Sequence, residues 1–130
     1  MIDFFFPTEG MGSQTLRLVA EAGEGGGDAF EIARVCREIE LGNHASWEKA
    51  WTDKAEDTEA RAKKCLAEGH ERSAMKYFFA ANQYWRMADV FLRMDRNDEK
   101  AAYFRKSQEN FRAAAALHDP PIEVIEVKCG

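Results

Sequence analysis

From Glu71 to Met94 the apolar residues Ala74, Tyr77, Phe78, Ala81, Tyr84, Trp85, Ala88, Phe91 and Leu92 recur at helical spacing, with no glycine or proline to interrupt them. Such a run demands a long amphipathic helix and neighbours that cover its stripe. Two more stretches read the same way. Asn43 caps a helix whose inward stripe is Trp47, Trp51, Ala55, Thr58, Ala62, Cys65 and Leu66, closed by Gly69. After a turn and cap drawn from Asp95, Asn97 and Asp98, a further helix runs through Ala101, Phe104, Gln108, Phe111, Ala115 and His118 until Asp119-Pro120-Pro121 stops it. Ahead of these, Asp28 with Glu31 forms a capping pair for a shorter helix through Phe30, Ala33, Cys36 or Arg37, and Ile39 or Glu40, ended by Gly42.

Connections this short force consecutive helices to lie antiparallel. The fold class expected is therefore all-α: helical hairpins or a bundle of about four main helices. The predicted division is a lead-in over 1–27, the helical bundle over 28–119 and a lead-out over 120–130. In the lead-in, Ser13 opens a short helical pattern through Leu16, Val19 and Ala20, and Gly23 to Gly27 reads as a linker. A phosphate loop is not expected there, because no strand precedes the glycines and no Gly-Lys-Ser/Thr follows them. In the lead-out, Ile122, Val124, Ile125 and Val127 alternate with Glu123, Glu126 and Lys128 as in a β-strand that has no partner in this chain.

With 45% hydrophobic and 32% charged residues the chain is of globular composition. The net charge of −5, with basic residues interleaved among acidic ones, leaves no positive stripe for phosphates, so nucleic acid is not an expected partner. The apolar Phe4-Phe5-Phe6 run is cut at once by Pro7 and Glu9, so neither a signal core nor a membrane span is expected, and the chain reads as cytoplasmic. Cys36, Cys65 and Cys129 lie far apart without a CxxC pair, and the three histidines fall at helix ends, so no disulfide framework, metal or cofactor is predicted. Cys65, although beside Lys63 and Lys64, sits on an inward stripe and reads as a packing residue.

A catalytic site is also missing from the pattern. Ser13, Ser46, Ser73 and Ser107 stand on or at the start of helices, none within the GxSxG turn that presents a serine nucleophile. Carboxylate pairs such as Glu56 with Glu59 read as charged helix faces. The Glu71–Met94 helix carries one feature a simple bundle does not require. Opposite its main stripe, which spans about 140°, lie Met75, Phe79, Arg86 and Val90, with Asn82 on the border. Either a neighbouring helix wraps around to cover that second line, or a partner does.

Several segments in order resemble a known family: Gly42 and Ser46-Trp47-Glu48-Lys49-Ala50-Trp51; Ala67-Glu68-Gly69-His70-Glu71-Arg72-Ser73-Ala74; Ala80-Ala81-Asn82-Gln83-Tyr84-Trp85-Arg86-Met87-Ala88; Phe111-Arg112-Ala113-Ala114-Ala115; and Pro120-Pro121-Ile122-Glu123. Over residues 2–128 the chain resembles the N-terminal helical region of a group of α/β-hydrolases that includes fungal polyketide-shortening hydrolases and a bacterial 2,6-dihydroxypseudooxynicotine hydrolase. The resemblance implies a helical cap over a catalytic domain, with the Pro-Pro segment leading into the first strand of a hydrolase sheet. It implies cleavage of a ketone or ester, including a carbon–carbon bond next to a ketone. The family's nucleophile, acid and histidine belong to the catalytic domain, so no position here inherits them.

Phe79, Asn82, Tyr84, Trp85 and Arg86 are the residues expected to face substrate or partner; Gln83-Tyr84-Trp85 stands where relatives often carry Tyr-Tyr. The expected partners are a catalytic domain or chain and further copies of this chain, with no nucleic acid and no membrane. The competing reading is a stand-alone tetratricopeptide-like module for protein interaction or dimerisation, against which stand helices too long for a 34-residue repeat.

Overall fold

The computed structural model describes Phe6 and residues 10–25 and 27–130. Phe4, Phe5, Pro7, Glu9 and Gly26, which entered the reading of the lead-in, lie outside the described residues. Five helices follow in order: α1 (Met11–Gly25), α2 (Ala29–Cys36), α3 (His44–Ala67), α4 (Glu71–Asp89) and α5 (Asn97–Leu117). The expected all-helical class is what the chain adopts. α4 is the central element: it packs along α3 on one side and α5 on the other, with α1 laid across it and α2 joining α1 to α3.

The helix ends that local chemistry dictates fall where the sequence places them. Asp28 Oδ1 accepts from the backbone N–H of Phe30 and of Glu31, each at 2.9 Å. Asn43 Oδ1 accepts from Ser46 N at 3.1 Å. Gly69 adopts φ +81°, and His70 N donates to Cys65 O at 2.8 Å while Gly69 N donates to Leu66 O at 3.1 Å. That is the paired bonding of a Schellman motif, which satisfies α3's last carbonyls and turns the chain sharply into α4. Asn43→Ala is expected to cost about 1 kcal/mol, read as a lower denaturant midpoint, and Asn43→Ser to retain most of that stability.

Other ends differ from expectation. α1 begins at Met11 and runs through Gly23 to Gly25, so part of the glycine stretch is helical rather than linker. Met11, Leu18 and Ala22 place it in the same core cluster as Trp47, Trp51 and Tyr84. α2 stops at Cys36 instead of continuing to Gly42, and Phe30, one of the residues that trace it in the sequence, is 78% exposed. The chain tightens there through Glu38 N→Val35 O and Ile39 N→Cys36 O bonds. These bring Ile39 into the core, and Ser46 Oγ accepts from Glu40 N at 3.0 Å.

α4 ends at Asp89, not Met94. No glycine or proline stops it; its terminal carbonyls accept local bonds, Val90 N to Met87 O at 3.3 Å and Leu92 N to Asp89 O at 3.1 Å, and further bonds from elsewhere in the chain. Trp47 Nε1 donates to Met87 O at 2.7 Å, and Lys100 Nζ donates to Asp89 O at 3.5 Å. Phe91, released from the helix, stacks on His44 at 4.8 Å and meets Trp47 edge-on at 4.9 Å. α5 then starts without a side-chain cap, with Arg96 rather than an acidic or amide residue at its N-cap, and Asp95 pairs with Arg93. The acidic Asp98 and Glu99 in its first turn favour its N-terminus electrostatically.

The core has two parts. One gathers Trp47, Trp51, Tyr84, Trp85, Ile32 and Leu18 where α1 to α4 meet. The other is Ala62, Ala74, Phe78 and Ala114, near the α3–α4 turn and the later half of α5. After α5, Ile122 N donates to Ala115 O at 3.0 Å, and the remaining residues run without regular structure. No strand is formed among the described residues, and Val124, Ile125 and Val127 are 61%, 75% and 75% exposed.

Candidate functional site

The face of α5 that packs against α4 is not the one the hydrophobic pattern points to. Phe104 is 59% and Phe111 40% exposed, whereas Ser107 and Asn110 are buried together with Ala114 and Ala115. The reason is a polar layer running through α3, α4 and α5. Asn82 Nδ2 donates to both Ser107 O and Ser107 Oγ at 2.8 Å. Below it, the Glu59 carboxylate accepts from Trp85 Nε1 at 3.1 Å, Asn110 Nδ2 at 3.0 Å and Lys106 Nζ at 3.2 Å, and pairs with Lys63. Burial alone would raise the Glu59 pKa, yet the donors of Lys63, Asn110, Trp85 and Lys106 together outweigh it and hold the carboxyl at about 2.

A second ionic clamp closes the α3 and α5 N-terminal ends. Arg96 grips Glu48 through two nitrogens at 2.6 and 2.8 Å, and Tyr103 OH donates to the same carboxylate at 2.7 Å. The Arg96 bonds hold the Glu48 carboxyl below its ordinary value.

Turning Ser107 and Asn110 inward turns Phe104 and Phe111 outward, beside the second line of α4. Phe79 meets Phe111 edge-on at 5.7 Å. Shallow clefts along this side share residues: Gln83, Phe104 and Ser107 lie between α1, α4 and α5, while Phe111, Val124 and Ile125 continue the surface along the tail. At the α1 edge, Arg86 donates to Gln83 Oε1 at 2.6 Å and lies 3.4 Å from Glu21, which Arg17 approaches at 3.8 Å.

The five residues singled out from the sequence thus separate. Phe79 and Arg86 lie on this face, and Asn82 forms its floor with its amide donors already used by Ser107. Trp85 is 3% exposed, stacked on Tyr103 at 5.6 Å, and reaches the α1–α4–α5 cleft from below. Tyr84 is fully buried on the other side of α4, against Trp51 at 5.7 Å and under Lys54 Nζ. Burial first, and then the charge of Glu31, push its hydroxyl pKa above the ordinary tyrosine range. Glu59, Ser107 and Asn110 went unrecognised. Their signal was the spacing Tyr103, Ser107, Asn110, Ala114, a helical stripe of small and polar residues that hydrophobicity alone assigns to solvent.

Ser13, Ser46 and Ser107 have structural partners. Ser13 Oγ donates to Gly10 O, and Ser46 Oγ donates to Asn43 O while accepting from Glu40 N. Burial pushes the Cys36 thiol up to about 11, the opposite of activation. Among the described residues no cluster of three or more histidine, cysteine or acidic side chains forms a metal site. No described helix is long and apolar enough to cross a membrane.

No family model matches the chain, and no solved structure matches it. Several curated proteins do. The chain is 27% identical over 127 residues to a protein named Hydrolase ORFZ of Pyricularia oryzae, covering 95% of this chain and 30% of that one. It is 27% identical over 123 residues to a 20-hydroxy-prefusarin hydrolase of Gibberella moniliformis, covering 94% and 29%. It is 26% identical over 117 residues to the α/β-hydrolase ucsC of Acremonium, covering 88% and 24%. The chain therefore spans about 30% of the length of the first of these relatives. Across nearly all of its residues this helical chain is similar to a segment of fungal hydrolases, one of them named as an α/β-hydrolase.

Proposed function

We propose that this chain is the helical cap segment of a serine α/β-hydrolase. It shapes access to a pocket in which a ketone or ester is cleaved, including the carbon–carbon bond next to a ketone. The catalytic nucleophile, acid and histidine come from a separate α/β part. The observation that carries this reading is the similarity of 95% of the chain to less than a third of a protein named as a hydrolase. Two features support it. Ser13, Ser46 and Ser107 are committed to caps, turns and the α4–α5 contact, and a wide face around Phe104 and Phe111 stands uncovered beside the exposed apolar residues of the tail. A contiguous exposed apolar surface of this kind suits a docking or substrate-facing role better than a solvated one.

In this role the chain contributes shape, exclusion of water and orientation of the substrate. The polar layer around Glu59 keeps α4 and α5 in fixed register, so that the outer face keeps its shape under load. The test is to isolate the protein from its source, weigh it intact and treat it with a fluorophosphonate probe. The expected result is a mass well above 14.8 kDa and covalent labelling of a serine outside this segment. A natural protein of 14.8 kDa with no labelled hydrolase accompanying it would overturn the proposal and leave a stand-alone helical interaction module.

A further inference from the structure

Phe104 and Phe111 of α5 are 59% and 40% exposed, and Val124 and Ile125 of the tail continue the same surface at 61% and 75%. A contiguous apolar surface of this kind gains free energy when another surface covers it. Opposite charges border it. On the α1 side, Glu24 lines the hollow that holds Phe79 and Phe111; on the α5 side, Arg112 lines the hollow that holds Phe104, Phe111 and Val124. Both charged residues are exposed, and among the described residues neither makes an ion pair within 4.0 Å. We propose that this face binds a second copy of the chain. In the resulting two-fold dimer, Phe104 and Phe111 of each copy pack together, and Glu24 of each copy pairs with Arg112 of the other.

The charge pattern is self-complementary. A two-fold axis in the plane of the contact and along α4 lays α1 of one copy over α5 of the other, so acid meets base twice. An axis across the helices would set α1 on α1 and α5 on α5, with like charges opposed. Charge therefore selects the first arrangement, in which the two α4 helices run parallel.

Two further features favour it. α1 has no basic residue in its last turn and carries Glu24 there, where the backbone dipole disfavours a negative charge. Glu21, one turn earlier, has Arg17 and Arg86 beside it, whereas Glu24 gains a cation only from outside the chain. The contact surface is also formed before association. The Asn82–Ser107 and Glu59–Asn110 bonds fix α5 with Phe104 and Phe111 outward, so little ordering is lost on docking. The dimer does not depend on the catalytic part proposed above: serine labelling reports on that part, and self-association of the 130-residue chain reports on this face.

Sedimentation equilibrium of the 130-residue chain is the test. The mass is expected to rise from 14.8 kDa towards twice that value between about 1 and 500 µM, the range suited to a small apolar contact with two ion pairs. Phe104→Asp should weaken association at least about tenfold, whereas Phe30→Asp, an exposed aromatic of α2, should leave it unchanged. Glu24→Arg and Arg112→Glu should each weaken it at least about threefold, and both together in one chain should restore it to within about twofold of the native value. All four positions are exposed, so the variants test the face rather than the fold. A chain that stays at 14.8 kDa up to about 500 µM, a dimer lost as much by Phe30→Asp as by Phe104→Asp, or a double variant no better than its single ones would each overturn the proposal.

Discussion

Replacing Trp51 by alanine is expected to remove about 4 kcal/mol of stability. Its side chain is wholly buried, 5.8 Å from Trp47 and 5.7 Å from Tyr84 between ring centres, in the cluster that joins four of the five helices. Truncation there leaves a cavity lined by rigid rings and helix backbones, which cannot collapse to fill it. Against a total of about 5–15 kcal/mol for a domain of this kind, the loss lowers the thermal midpoint by about 15 °C or leaves the chain partly unfolded. Phe30→Ala provides the contrast. Both aromatics lie in the helical apolar patterns of the sequence, but Phe30 is 78% exposed, and its removal should shift stability by no more than about 0.5 kcal/mol. Calorimetry of the two variants measures the difference; equal losses would show that α2 is rotated relative to the structure described.

The second large effect belongs to Glu59. A carboxyl held at about 2 in the fold against 4.5 when unfolded is worth about 3 kcal/mol, and the Glu59 side chain is only 9% exposed, so solvent does not screen most of it. Because the folded pKa is the lower one, this stability is present in full above about pH 5. It is lost as the pH falls through 4.5 towards 2, where protonation of Glu59 weakens its bonds with Lys63 and Lys106. Denaturant midpoints from pH 7 down to pH 2 should therefore fall in the native chain and much less in Glu59→Gln; Glu48, also depressed, adds a loss of the same sign to both. Glu59→Leu goes further. It strands the Trp85 and Asn110 donors in the interior and is expected to cost about 3–5 kcal/mol at neutral pH. An acid limb as steep in Glu59→Gln as in the native chain would remove Glu59 from this role.

Both effects also bear on the proposed function. The outer face made by Phe79, Phe104 and Phe111 exists because α5 is rotated so that Ser107 and Asn110 meet Asn82 and Glu59. Weakening that layer should let α5 turn on its axis and blur the face before the Trp47–Trp51 core gives way. Loss of any cap-dependent activity in Glu59→Gln at temperatures where the chain stays folded would follow from the same cause.

What the sequence determined by itself is whatever rests on neighbours along the chain. The caps at Asp28 and Asn43 and the reversal at Gly69 are bonds between residues two to five positions apart, so their chemistry is legible without knowing the fold. The central helix with its apolar stripe and the all-helical class follow from the same short-range periodicity. The tertiary structure alone decided three things: where α4 stops, which way α5 faces and where α1 lies. Where α4 stops, Trp47, forty positions earlier, donates to Met87 O, and where α5 turns its polar side inward, Glu59, fifty-one positions earlier, receives Asn110. A polar side chain belongs inside or outside according to whether a partner is waiting for it, and that partner is set by packing rather than by sequence distance.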